Sequence, residues 1–254
     1  MGLKVLSINL TCKPYKEFVS LFKELALVKR SAYVCVANVH MTIEAHNDAS
    51  FAAVVNEADA VTPDGMPLVA ALKLLYGFEQ DRVTGMDLLP DLLKVAEREK
   101  FTVFFYGGTE TMLHATNQHL IQHYPTLTTK HFYSPPFRSL TAAEEEDIIQ
   151  DINSSGANLV FVALGCPKQE KWMASMKGRI NACMIGIGGA LPVMIGMQKR
   201  APGWMQKAGL EWLYRLAQEP ERLFKRYAVT NSIFIWLLLK TWAQQGFRAK
   251  QLSE

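Results

Sequence analysis

The sequence predicts an α/β protein: a mainly parallel β-sheet with helices on both faces, followed by a basic, aromatic-rich helical segment. Three observations support this class. Short apolar runs alternate with longer helical patterns over roughly the first 190 residues, the signature of repeated strand–helix units. Several of the short runs are apolar at every position, as strands covered on both faces must be. Charge is also divided by position: the net formal charge is +3, yet residues 197–254 hold 10 Lys/Arg against 4 Asp/Glu, and residues 1–196 hold 17 against 20. A mildly acidic body therefore carries a basic tail, which points to an anionic partner near the C-terminus.

Strands are predicted at 4–10, 32–37, 58–62, 102–106, 129–133, 158–164 and 182–187. Between them the periodicity predicts helices at 14–29, 39–57 (two pieces, restarted at Ser50), 67–76, 86–100, 110–123, 142–155 and 168–177. Several boundaries carry their own chemistry. Thr141 and Glu144 spell a capping box, and Gly156 suits the position just past the other end of that helix. Thr109 is a candidate N-cap, and Pro67 and Pro167 suit first helical positions, where a missing N–H is harmless.

With 254 residues, 49% of them hydrophobic, the chain can bury one large core and is too apolar for disorder. A balance of +3 argues for no nucleic-acid partner. Cys12, Cys35, Cys166 and Cys183 lie far apart, so they suggest neither a zinc site nor a disulfide framework; Cys35 and Cys183 sit in strand-like runs as reduced core residues. The first residues run straight into a strand pattern with no signal-peptide core. No stretch reaches the roughly 18 apolar residues of a spanning helix; residues 233–239 come nearest. The expected compartment is cytoplasmic.

In an open parallel sheet, ligands bind beyond the carboxyl ends of the strands. The residues to read there are Asn38, Asp64-Gly65, Gly107-Gly108, Gly165 to Gln169 and Gly188-Gly189. In Thr62-Pro63-Asp64-Gly65-Met66-Pro67, Asp64 is a candidate general base, while Pro-Asp-Gly equally spells an ordinary turn. Gly165-Cys166-Pro167-Lys168-Gln169 ends a strand and opens a helix whose free N–H groups favour an anion such as a diphosphate. Lys168 would add charge, and Gln169 can both donate and accept. Gly107-Gly108 and Gly188-Gly189 permit close backbone approach, although neither completes a G-x-G-x-x-G fingerprint. Arg82 is a candidate clamp for a phosphate or a sugar carboxylate, with Asp87 holding it or capping the next helix. His40, following Asn38, could reach the cleft or simply start a helix. Neither Asp-x-Asp nor H-E-x-x-H occurs, so the expected metal and cofactor are none.

The tail interleaves Trp204, Leu210, Leu213, Tyr214, Leu216, Leu223, Phe224 and Tyr227 with Lys207, Arg215, Arg222, Lys225 and Arg226. Basic residues beside Trp and Leu faces suit a helix lying on an anionic bilayer, though the same stripes could dock on the body or on a second copy of the chain in a homo-oligomer.

Six blocks, in order, resemble the bacterial WecG/TagA/CpsF glycosyltransferases, which build teichoic acid linkage units, enterobacterial common antigen and exopolysaccharides. They are Thr62-Pro-Asp-Gly-Met-Pro67, Arg82-Val-Thr-Gly-Met-Asp-Leu88, Phe161-Val-Ala-Leu-Gly-Cys-Pro-Lys-Gln-Glu-Lys-Trp172, Gly186-Ile-Gly-Gly-Ala190, Lys199-Arg-Ala-Pro202, and the tail from Gly209-Leu-Glu-Trp-Leu-Tyr-Arg-Leu216 to Glu219-Pro-Glu-Arg222. The resemblance implies a Rossmann-like catalytic domain over 1–196 and a membrane-associating appendage over 197–254 that completes the site. It implies inverting, metal-free transfer from a UDP-sugar to a polyprenyl-diphosphate-linked sugar at the inner face of the cytoplasmic membrane. Asp64 takes the base position, Gln169 the glutamine beside the nucleotide sugar, and Arg82 the arginine after the second helix. Arg215 and Arg222 match tail arginines that reach the donor diphosphate, and a third tail position falls at Lys225, with Arg226 adjacent. Where many members read Thr-Pro-Asn this chain reads Val36-Ala37-Asn38, keeping the asparagine without the threonine hydroxyl, so the resemblance leaves the donor open between hexoses and N-acetylhexosamines. Two other classes are weighed: a dinucleotide- or adenosylmethionine-dependent enzyme, for which the first strand supplies no glycine fingerprint, and a non-catalytic scaffold of a polysaccharide assembly complex.

Overall fold

The computed structural model describes residues 1–127 and 130–251, with side chains up to residue 245. Thr129, predicted to begin a strand, and residues 252–254 of the tail lie outside the described residues. The chain opens with an antiparallel hairpin, β1 (Gly2–Val5) and β2 (Ile8–Thr11), in place of the single strand predicted over 4–10. The reversal comes at Leu6, whose backbone is left-handed at φ 55°. Val5, Ile8 and Leu10 are buried while Lys4 and Asn9 are not, as in a ribbon with one covered face. The hairpin lies along the edge of the main sheet, where the Val61 N–H donates to Thr11 Oγ1 at 3.1 Å and an exposed edge is closed.

Then come α1 (Tyr15–Leu27), β3 (Ala32–Ala37), α2 (Val39–Asn47), α3 (Ala49–Asn56), β4 (Ala60–Pro63), α4 (Met66–Tyr76) and α5 (Gly85–Glu99). β5 (Val103–Gly107), α6 (Glu110–His123), β6 (Lys130–Tyr133), α7 (Ala142–Ser154), β7 (Leu159–Ala163), α8 (Lys168–Met176) and β8 (Cys183–Gly186) complete the alternation. α9 (Ala190–Met194) follows, and the tail adds α10 (Gly203–Lys207), α11 (Glu211–Gln218) and α12 (Pro220–Gln251). β3 to β8 form one sheet in the order β4-β3-β8-β7-β5-β6, every pair parallel.

Alternation along each strand divides the core in two. Tyr33, Cys35, Phe104, Tyr106, Val160, Val162 and Met184 face one side and pack with Met41, Phe51, Leu68, Ile149 and Met173 from α2, α3, α4, α7 and α8. Val34, Val103, Phe105, Leu159, Phe161 and Ile185 face the other side, against Phe18, Phe22, Leu92 and Leu113 from α1, α5 and α6. Both faces are thus out of water, which accounts for the unbroken apolar runs.

Helix starts follow local polar chemistry. The capping box at Thr141 and Glu144 is formed, and the Thr109 side chain accepts the Met112 N–H. Two starts differ from expectation. Thr84, not Asp87, caps α5, because its hydroxyl lies one residue before the helix and accepts from Met86. Asp48, not Ser50, restarts the helix after α2, its carboxylate accepting the Ser50 and Phe51 N–H groups.

The long α12 packs against α2 and α4, and its Phe234, Leu237 and Leu238 join the core on that side of the sheet. Its opposite side leaves Phe224, Ile235, Trp236, Leu239 and Trp242 exposed. No helix among the described residues is long and apolar enough to cross a membrane.

Gly107 ends β5 at φ +104°, and a Cβ there would lie 2.7 Å from the Ala163 carbonyl oxygen on the paired strand β7. Gly107→Ala should therefore destabilise the fold by at least about 2 kcal/mol in urea unfolding. A variant as stable as the parent would show that β5 and β7 can separate there without loss.

Candidate active site

Because the six strands are parallel, their carboxyl ends share one edge. Over that edge the segments following β3, β4, β7 and β8 meet α11 and α12 around a cavity of about 910 Å3. Asn38 and His40, Asp64 and Gly65, Gly165 and Gln169, and Gly188 and Gly189 line it from the sheet side. Arg215 and Arg222 line it from the tail. Lys168 is exposed and, like Gly107 and Gly108, is not among the lining residues.

Asp64 sits where β4 turns into α4. Its N–H donates to the Ala37 carbonyl at 2.7 Å, and the Val83 N–H donates to the Pro63 carbonyl at 3.0 Å. The Thr62 hydroxyl donates to the Val83 carbonyl at 3.1 Å, so the 82–84 segment is pinned beside the Asp64 turn. Gly65 follows at φ +100°, a backbone that a side chain would strain. Burial pushes the Asp64 carboxyl up to about 6 from 3.8; the Thr84 hydroxyl opposes that rise, the Glu211 charge adds to it, and Arg215 and Arg82 oppose it. At neutral pH such a group is ionised and still able to take a proton.

Arg82 keeps the expected ion pair with Asp87 and is held more closely by the tail. Its Nη1 donates to Glu211 Oε2 on α11 at 2.8 Å and its Nη2 to Gln206 Oε1 on α10 at 3.3 Å, while Asp87 stands 3.6 Å away. Asp87 also binds Arg200. Arg82 therefore fastens the tail to the body; Glu211 lies within the Gly209–Leu216 block, but the sequence reading gave it no role. The Arg215 guanidinium lies against Gly189, in the space a Cβ at that position would take. Arg222 pairs with Glu219. At the third tail position it is Arg226, not Lys225, that lines the cavity, and its buried Nε has no partner.

Gln169 is buried on the first turn of α8. Its Oε1 accepts the Gly165 N–H at 3.2 Å and its Nε2 donates to Glu170 Oε1 at 2.7 Å, which fixes the orientation of the amide. Gly186 makes room for it, since a Cβ there would lie 2.8 Å from Nε2. Glu170 is fully buried, and burial raises its pKa. Asn38 caps α2 through its side chain, and His40 is held below the usual imidazole range by burial and the Arg226 charge. Arg82 and His40 both line the cavity, and Arg82 is already paired with Glu211 and Gln206. Among the described residues no group of three His, Cys, Asp or Glu side chains is placed to hold a metal ion.

A model of the glycosyl transferase WecG/TagA/CpsF family matches residues 3–248. The chain is similar to the N-acetylglucosaminyldiphosphoundecaprenol N-acetyl-beta-D-mannosaminyltransferase of Bacillus spizizenii, 32% identical over 194 residues, which are 76% of this chain and 74% of that protein. Proteins of the same name from Bacillus subtilis (30% over 195 residues, 76% and 74% of the two chains) and Staphylococcus aureus (27% over 209 residues, 82% and 80%) are also similar.

The raised Asp64 pKa has a measurable consequence for stability. Its folded value, about 6, exceeds its ordinary 3.8, so ionised Asp64 disfavours the fold above pH 6 and ceases to do so below pH 4. The melting temperature of Asp64→Asn minus that of the parent should rise between pH 4 and pH 6 and then level off. A difference independent of pH would refute the raised value.

Proposed function

The chain belongs to the glycosyl transferase WecG/TagA/CpsF family, and from that premise we propose that it moves a sugar from a UDP-sugar to a polyprenyl-diphosphate-linked acceptor, with inversion and without a metal ion. The observation that carries this reading is the placement of Asp64, a carboxylate pushed up to about 6, in a cavity also lined by Arg215, Arg222 and Arg226. The names of the similar proteins support a lipid-diphosphate acceptor.

In the proposed step an acceptor hydroxyl oxygen attacks the anomeric carbon from the face opposite the diphosphate. Its proton passes to an Asp64 carboxylate oxygen as the new C–O bond forms. The bond from the anomeric carbon to the phosphate oxygen breaks, and UDP leaves with the bonding pair. Arg215, seated against Gly189, and Arg222 offset the charge on the departing diphosphate, a role that guanidinium groups perform by bidentate hydrogen bonding. Gln169, with its amide held by Gly165 and Glu170, orients the donor sugar. Val36 presents an apolar wall to the same cavity.

In this reading residues 197–254 form an appendage that brings the site to a membrane surface. Its exposed Trp236 and Trp242 (61% and 50%) share a helix with Lys240, whose ammonium lies 5.1 Å from the Trp236 ring centre. Such a face suits the headgroup region of an anionic leaflet, here the cytoplasmic one.

Two experiments test this. With a panel of UDP-sugars and a short-chain lipid-diphosphate acceptor, Asp64→Asn should lower kcat by about 10²–10⁴-fold. The parent rate should fall about tenfold per pH unit below pH 6 and survive EDTA; loss in EDTA with return on Mn²⁺ addition would exclude the metal-free step. In sedimentation, the protein should partition onto vesicles containing phosphatidylglycerol but not onto pure phosphatidylcholine, and Trp236→Ser with Trp242→Ser should weaken that partition about tenfold or more. Equal binding to both vesicle types would argue against an electrostatic contribution.

A further inference from the structure

Glu211 lies at the first turn of α11, and its carboxylate crosses from the tail to the body to meet Arg82 at 2.8 Å, with the two side chains only 17% and 16% exposed. Hydrogen bonds from Val83 to Pro63 and from Thr62 to Val83 hold the Arg82 segment beside the Asp64 turn, and the Arg82 charge bears on Asp64. Asp64, Arg82, Glu211 and Arg215 all line one cavity. A guanidinium free to pair with Asp64 would stabilise its ionised form and leave it a weak base. In the structure that guanidinium is occupied instead by Glu211 and Gln206, both from the tail.

We propose that Glu211 is a positioning residue for the proton transfer: by engaging Arg82 it keeps that guanidinium off Asp64, so that Asp64 is a competent base only when the C-terminal segment is seated. This rests on Asp64 being the base. Asp64 is faced by Arg82 and Thr84 from the segment before α5, and by Glu211 and Arg215 from α11. Farther along the cavity are His40 on α2, Glu219 ahead of α12, and Arg222 and Arg226 on α12. Of the charges acting on Asp64, Glu211 raises its pKa while Arg215 and Arg82 lower it. The tail therefore acts on the base directly, through the opposite charges of Arg215 and Glu211, and once more through the hold of Glu211 on Arg82.

The signature is a pair of opposite movements in the pH profile. Glu211→Gln removes the charge but keeps the shape. Its acid limb should move down by about one pH unit, and its plateau kcat should fall about three- to tenfold as the base weakens. Arg82→Gln should move the limb up by a similar amount, and in that background Glu211→Gln should move it far less than it does in the parent, since no guanidinium is left to hold; a full additive return to the parent limb would overturn the proposal. A latch that only holds the tail in place predicts a uniform loss at every pH with an unmoved limb, and that result would overturn the proposal. So would movement of both limbs in the same direction. The Asp64 carboxyl can also be titrated without turnover, by ¹³C NMR of carboxyl-labelled protein with Asp64→Asn as the assignment control. Opposite shifts there support the coupling even if no UDP-sugar is turned over, in which case the functional reading alone fails. An Asp64 titration unchanged by both substitutions overturns the coupling whatever the activity.

Discussion

A parallel sheet must be covered on both faces, because its crossover connections place helices on each and its strands carry apolar side chains in both directions. In this protein that requirement sorts Tyr33 and Cys35 to opposite sides from Val34, and Phe104 from Phe105, building two cores on one six-stranded sheet. It also aligns six strand ends at one edge. Apolar burial there gives way to turns, and the turns are where Asn38, Asp64, Gly165 and Gly188 stand. Two rigid cores thus support a cavity whose polar groups come from segments distant in the chain.

The tail then changes the character of that edge. Phe234, Leu237 and Leu238 dock α12 onto the same core that α2 and α4 cover, while the other side of the helix keeps its tryptophans in solvent. Docking brings three guanidinium groups to the cavity and, with them, two carboxylates, Glu211 and Glu219, of which Glu211 bears on Asp64. The carboxylate matters as much as the cations. Excess positive charge beside Asp64 would favour its anion and weaken it as a base, whereas burial and a neighbouring negative charge hold its proton affinity near neutrality. The proposed reaction must stabilise a departing diphosphate and still deprotonate a hydroxyl, and in that reading the conflict is divided between Arg215 and the Arg82–Glu211 pair.

Much of the fold was legible in sequence because strand runs such as 32–37 and 158–164 are apolar at nearly every position, and because caps such as Thr109 and Thr141 depend on contacts only three residues away. The first segment was not, since alternating Leu3, Val5, Ile8 and Leu10 read alike as one strand or as a hairpin; the left-handed turn at Leu6 has no glycine to mark it. The cap of α5 was read at Asp87, and the structure puts it at Thr84, because the helix begins at Gly85. At the cavity, strand-end glycines looked equivalent in sequence, yet Gly188 lines it and Gly107 does not, for Gly107 is required by its closeness to Ala163.

What the sequence determined alone was what depends on local pattern: a parallel α/β class, the identity of the turn that holds Asp64, and a basic, aromatic tail unlike the body. What tertiary structure decided was pairing between residues more than a hundred positions apart. Arg82 reads in sequence as an arginine waiting for a substrate; in the fold it is bound to Glu211, and of two adjacent tail cations it is Arg226 rather than Lys225 that turns into the cavity. Local propensities are set by neighbours within a turn or two, whereas the charge state of a site is set by whatever the packed helices bring within a few ångströms, and only docking of the tail establishes that.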